Sequence, residues 1–274
     1  MLQVGINTNN KCGNNDIEIL NNIAKTNFKN IMLSFKSKNI NESIKIIKDL
    51  GLNISYFHID NKNADNLWAK GKSVNKYINE VTNQLEICGK NNIPIAVMHA
   101  TCGNPCGFAL KPNKEGLTNL KKLLEIAKKN NVKIALENVD KYALKHLYYL
   151  LNNIQDDNLG FCYDVGHHQL YNPKAKLLKK YANRLFAVHL HDNLMDWQPG
   201  YDYTKDIHLL PFDGRINYDK VCSELKKVNY NGIVMLEIHK KICGKSLLYE
   251  NINDVDLLKE AYTRAKKIAK LIEE

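Results

Sequence analysis

Histidines and acidic residues fall at particular places in this chain. His58, His99, Glu137, Asp164, His189 and Glu237 each stand at or beside the end of a short, strongly apolar run, and His167 lies three residues beyond Asp164. Asp206 and His208 occupy an aromatic, polar stretch that follows the run ending near His189. Imidazole and carboxylate brought together suit Mn²⁺, Co²⁺, Fe²⁺ or Zn²⁺ better than Ca²⁺, which prefers an all-oxygen shell. One strand-end histidine usually caps a backbone group, and one terminal glutamate often marks where a strand meets water. The set carries more weight than its members, because of nine histidines only His146 lies well away from these run ends and the loops after them.

The elements that must position these side chains can be read from the apolar pattern. Eight runs of strand length recur: Leu2 to Asn7, Asn30 to Phe35, Asn53 to His58, Pro94 to His99, Val132 to Glu137, Gly160 to Asp164, Leu185 to Leu190 and Gly232 to Glu237. Ile95-Ala96-Val97-Met98 and Ile233-Val234-Met235-Leu236 are apolar without interruption, as expected of strands covered on both faces. Between the runs, spacings of three and four predict helices: Val74, Ile78, Val81, Leu85 and Cys88 share one face, as do Leu117, Leu120, Leu124 and Ala127. Val255 to Ile272 reads as a closing helix.

Strand and helix alternating eight times in 274 residues predict an α/β fold, a (β/α)8 TIM barrel formed as a single domain over 1–274. An open doubly wound sheet fits less well, because the first strand leads into Asn7-Thr8-Asn9-Asn10 and not into a Gly-rich phosphate loop. In a barrel the C-terminal ends of all strands meet at one face, so the dispersed ligands converge there. The stretch at about 192–215, with Trp197, Tyr201 and Tyr203, would lie over that face as a lid.

Composition narrows the setting. Hydrophobic content of 44% with 25% charged residues excludes a disordered chain. No apolar stretch is long enough to span a bilayer, and Met1-Leu2-Gln3-Val4-Gly5 lacks the character of a secretory signal, so a cytoplasmic setting and no membrane partner are expected. Seven cysteines without regular spacing suit reduced thiols, and Cys102 and Cys106 are too far apart for a CxxC site. The net charge of +10 is almost all lysine, the arginines being Arg184, Arg215 and Arg264, so base readout in nucleic acid is disfavoured. Lys121-Lys122, Lys128-Lys129 and Lys179-Lys180 fall on the outer faces of proposed helices.

Five segments, in order, resemble the xylose isomerase-like TIM-barrel superfamily, which joins sugar isomerases and epimerases to the endonuclease IV group. They are Ala135-Leu136-Glu137-Asn138, Phe161 to His167, Val188 to Asn193, Asp206 to Tyr218 and Val234 to Glu237. In the isomerase branch the resemblance implies one divalent ion, Mn²⁺, Mg²⁺, Co²⁺ or Zn²⁺, on Glu137, Asp164, His189 and Glu237. It also implies proton transfer by Glu137 and Glu237 on a small carbohydrate, phosphorylated or not, through a metal-stabilised enediolate. His167 would contact the substrate, and His58, His99, Asp206 and His208 would line its site or hold further metal. In the endonuclease IV branch the same nine residues would hold three Zn²⁺ ions for hydrolysis at abasic sites in DNA, with lysines on the backbone. Glu137-Asn138 runs into Val139-Asp140-Lys141-Tyr142, where the nucleases continue Gly-rich, and Pro211-Phe212-Asp213-Gly214 is closer to the isomerase-like proteins, so the isomerase branch is favoured. No arginine follows His189 as it does in ketose 3-epimerases. Barrels of this kind also pair through outer helices, which makes a homo-oligomer an expectation.

Overall fold

The computed structural model describes residues 1–35, 37, 39–102, 110–196, 205–242 and 248–274. Eight parallel strands, β1 (Val4–Asn7), β2 (Asn30–Ser34), β3 (Asn53–His58), β4 (Ile95–His99), β5 (Lys133–Glu137), β6 (Leu159–Asp164), β7 (Leu185–His189) and β8 (Val234–Leu236), alternate with helices. They are hydrogen-bonded in the order β7-β6-β5-β4-β3-β2-β1-β8. The ring closes just past the paired residues: the Leu190 N–H donates to the Met235 carbonyl at 2.9 Å, and the Glu237 N–H donates to the Leu190 carbonyl at 3.1 Å. This is the expected TIM barrel.

Strand periodicity accounts for both the core and the site. Outward-facing residues such as Ile134, Leu136 and Val188 pack beneath the helices in one large cluster. Inward-facing Met32, Tyr56, Val97, Ala135, Cys162, Ala187 and Met235 fill the barrel. Gly5 completes that layer without a side chain, since a Cβ there would lie 2.7 Å from the Met235 methyl carbon. Side chains alternate faces along a strand, so the residue two positions on from each again points inward. Those positions are Asn7, Ser34, His58, His99, Glu137, Asp164, His189 and Glu237. The candidate ligands therefore form the top layer of the barrel interior, seated on a layer of mostly small or apolar side chains.

The observed strands differ from the apolar runs mainly at their ends. β1 begins at Val4 and β8 at Val234, because Leu2 and Gly232 lie outside the paired register, while β6 gains Leu159, which pairs with Ile134. The closing helix spans Asp254–Glu273.

The chain's many asparagines have structural uses. Asn15, Asn39, Asn113, Asn217 and Asn253 each cap a helix by accepting a backbone N–H in its first turn. Asn92, Asn131 and Asn229 take left-handed conformations (φ 54–56°) in turns just past helices, the place glycine often fills. The lysine pairs 121–122, 128–129 and 179–180 are exposed, as the helical pattern requires. His146 is buried under Trp68 in an edge-on contact at 4.6 Å, a structural role away from the barrel mouth. Among the described residues, no helix is long and apolar enough to cross a membrane.

Candidate metal centre

Glu137 is the hub of the top layer. Its Oε2 lies 3.1 Å from His58 Nε2 and 3.0 Å from His99 Nε2. Its Oε1 lies 3.2 Å from His167 Nδ1 and 3.5 Å from His189 Nδ1. His189 Nδ1 is also 3.0 Å from Glu237 Oε2, and Asp164 stands beside it. On the far side of His167, Nε2 is 2.9 Å from Asp206 Oδ2, which His208 Nε2 approaches to 3.1 Å. All nine residues singled out from the sequence thus converge. Their donor atoms make three compact groups: His58, His99 and Glu137; Glu137, Asp164, His189 and Glu237; and His167, Asp206 and His208 joined by His191.

Two asparagines set the glutamates in place. Asn138 donates to the Asp164 carbonyl at 2.8 Å and accepts the Asp164 N–H at 2.9 Å, tying the end of β5 to β6 beside Glu137. Asn7 pairs in the same way with both backbone groups of Ile238, at 3.0 and 3.1 Å, tying β1 to the residue after Glu237. Asp192 holds the described part of the loop after β7: it accepts the N–H groups of Asn193, Phe212 and Ile216 and bridges Leu209 through its backbone. That anchoring delivers Asp206 and His208, the latter in a left-handed backbone conformation (φ 48°). Trp197, Tyr201, Tyr203 and Cys106 lie outside the described residues.

Electrostatics follow from this crowding. Burial alone would raise the Glu137 pKa, but His189, His99 and His167 outweigh it and hold the carboxylate well below its usual range. Burial opposes ionisation of Asp206 too, and His208 and His167 overcome it. His208 is pushed up to about 9: burial lowers it and Asp206 more than compensates. His167 and His189 rise in the same way against their burial, whereas His99 is lowered because burial dominates there.

The donor set fits divalent cations. His58 Nδ1 faces the Ile59 carbonyl at 3.0 Å and His208 Nδ1 faces the Glu237 carbonyl at 2.7 Å, so each Nδ1 carries the hydrogen it donates. In the neutral ring Nε2 then aims a lone pair at a carboxylate, an arrangement that a proton or a metal ion must relieve. Asp164 Oδ2 is buried without a hydrogen-bond partner, and the ring nitrogens of His189 are buried without a well-aligned one, although Nδ1 lies 3.0 Å from Glu237 Oε2; for polar atoms this is an expensive state unless a ligand satisfies them. Members of each group line a cavity of about 240 Å³ together with Asn9, Asn61 and His239, while Asp164, His189 and His191 are fully buried and not part of its lining. That is below the roughly 300–1,000 Å³ of pockets for drug-sized ligands. Among the described residues, none of its lining is lysine or arginine.

His191 and His239 escaped the sequence reading, as did Asn7 and the clamp made by Asn138. A signal for the histidines was present: in His189-Leu190-His191 and Glu237-Ile238-His239 the same two-residue alternation continues one step beyond the ligand.

A closed parallel barrel with imidazoles and carboxylates converging at its C-terminal face places the chain among the TIM barrels. The xylose isomerase-like TIM barrel family model matches residues 18–267, and the chain belongs to that family. An uncharacterized protein of Sinorhizobium fredii is 34% identical over 135 residues, 46% of this chain and 40% of that protein. The chain thus spans less than half the length of that relative. The inosose isomerase of Halalkalibacterium halodurans is 27% identical over 200 residues, 71% of this chain and 67% of that enzyme. Among solved structures, D-psicose 3-epimerase from Clostridium cellulolyticum superposes with a TM-score of 0.76 at 13% identity, covering 99% of each chain, a likeness of fold.

Proposed function

We propose that the protein is a divalent-metal-dependent isomerase or epimerase of a small carbohydrate, with Glu137, Asp164, His189 and Glu237 holding the ion. The observation that carries this reading is the buried four-residue group itself: Glu137 at the end of β5 and Glu237 just past the end of β8, with His189 Nδ1 between them at 3.5 and 3.0 Å and Asp164 Oδ2 buried without a hydrogen-bond partner. A bound ion would polarise the substrate carbonyl and offset the negative charge that develops when the neighbouring carbon loses its proton. Glu137 and Glu237 both face the cavity and serve as the acid–base pair, one removing the proton and the other returning it. Their depressed pKa values keep both ionised near neutrality, so either can take the proton, and the one that returns a proton must first take it from water. His167, seated between Glu137 and Asp206, orients a substrate hydroxyl, and Asp206 and His208 line the cavity beside it. The absence of lysine and arginine from the described lining favours a neutral sugar or cyclic polyol ketone over a phosphorylated one.

The wiring of His58 and His208 favours a second reading, in which the two flanking groups also hold ions. Three Zn²⁺ and cleavage of DNA at abasic sites would follow. Metal content per chain separates the two: one ion with turnover of inososes or ketoses supports the isomerase, and three Zn²⁺ with incision of an abasic oligonucleotide supports the nuclease.

A further inference from the structure

We infer that His191 is a positioning residue that dictates which oxygen Asp164 offers to the Glu137, Asp164, His189 and Glu237 group, an inference that rests on reading that group as a metal site. Asp164 Oδ1 is occupied twice. It accepts the backbone N–H of His167 at 2.7 Å, as the cap of the helix Val165–Tyr171, and it lies 3.1 Å from His191 Nε2. A carboxylate oxygen only accepts, so His191 presents its proton at Nε2. Oδ2 is left buried and unpartnered, 3.9 Å from His189 Nδ1. Two donors on Oδ1 stop the carboxylate from rotating and leave Oδ2 as its one free donor to a cation.

The ring that imposes this is itself immobilised. His191 is fully buried and stacks on His208 with centroids 3.8 Å apart and planes 12° apart, and His208 stacks in turn on His239 at 4.6 Å. The backbone of Gly166 also comes so close that a Cβ there would overlap the imidazole. The Tyr218 hydroxyl donates to the His191 carbonyl at 2.8 Å, fixing the main chain as well.

Two polar substitutions separate the hydrogen bond from the packing. In His191→Gln the amide reaches the place of Nε2 and keeps a donor for Asp164; in His191→Asn the shorter amide stops near the place of Nδ1 and cannot. Mn²⁺ affinity, titrated on the metal-free full chain by electron paramagnetic resonance of unbound Mn²⁺, is the readout. Loss of such an outer partner weakens metal binding by about 10–100-fold, expected for His191→Asn, while His191→Gln stays within about threefold of the wild type. Equal affinities in the two variants, both tight or both weak, would overturn the assignment. A wild-type chain that binds no Mn²⁺, Co²⁺ or Zn²⁺ would overturn the metal reading together with it, an outcome distinct from wild-type binding that is indifferent to residue 191.

Discussion

Each oxygen of Glu137 sits between two imidazoles, and the carboxylate is at once the centre of charge compensation and a proposed proton carrier. Replacing an acid–base carboxylate with its amide removes the proton acceptor while keeping the shape. Glu137→Gln and Glu237→Gln should each lower kcat by about 10²–10⁴-fold with the circular dichroism spectrum unchanged; a fully active double variant would end the proposed chemistry. A second consequence concerns His168, which is buried against Tyr163 and is not part of the cavity lining. Burial, with Lys220 nearby, lowers its pKa from 6.5 to about 4. The unfolded chain therefore binds more protons than the folded one between those values, so His168 costs stability as pH falls from about 6.5 toward 4. His168→Gln should flatten the fall of Tm across that window, and an unchanged slope would contradict the assignment.

At the scale of elements, the eight strands and the convergence of the candidate ligands were legible because two periodicities coincide in this sequence. Apolar runs marked the strands, and a ligand at the end of a run shares the inward parity of Ala135, Cys162, Ala187 or Met235 two residues before it. Asp206 and His208 were legible only as a motif, since their approach to His167 depends on Asp192 pinning the loop through three backbone N–H groups. His191 was not legible as a site residue: its importance comes from the bare face of Gly166 and the stack on His208, contacts made between segments distant in sequence. The asparagine caps make a separate prediction. Asn113 accepts the Gly116 N–H at 3.0 Å and donates to the Trp68 carbonyl at 2.9 Å, joining the helix Lys114–Lys129 to the segment before it. Asn113→Ala should cost about 1–2 kcal/mol, measured by urea unfolding of the metal-free protein. A loss below the error of the titration would show that water replaces both bonds.

For the whole molecule, the net charge of +10 is a property of the outer surface: the lysine pairs lie exposed on helices, while the described cavity lining carries carboxylates, imidazoles and amides. Salt therefore discriminates between the two substrate classes. A neutral carbohydrate should show a KM nearly independent of ionic strength, whereas binding through many DNA phosphates would weaken by about 10³–10⁵-fold between 50 and 200 mM salt. Chelation should also act on the fold, because a ligand bound only by the native state stabilises it, by about 2.7 kcal/mol at a hundredfold excess over Kd. The central claim, metal-assisted proton transfer at the carbon beside a carbonyl, is tested most directly by NMR in D₂O. With Mn²⁺-, Co²⁺- or Mg²⁺-loaded protein and inososes or ketohexoses as substrates, the account predicts deuterium entering at that carbon, abolished by chelation and by Glu137→Gln. No exchange with any of them, alongside three Zn²⁺ per chain and incision of an abasic oligonucleotide, would contradict it.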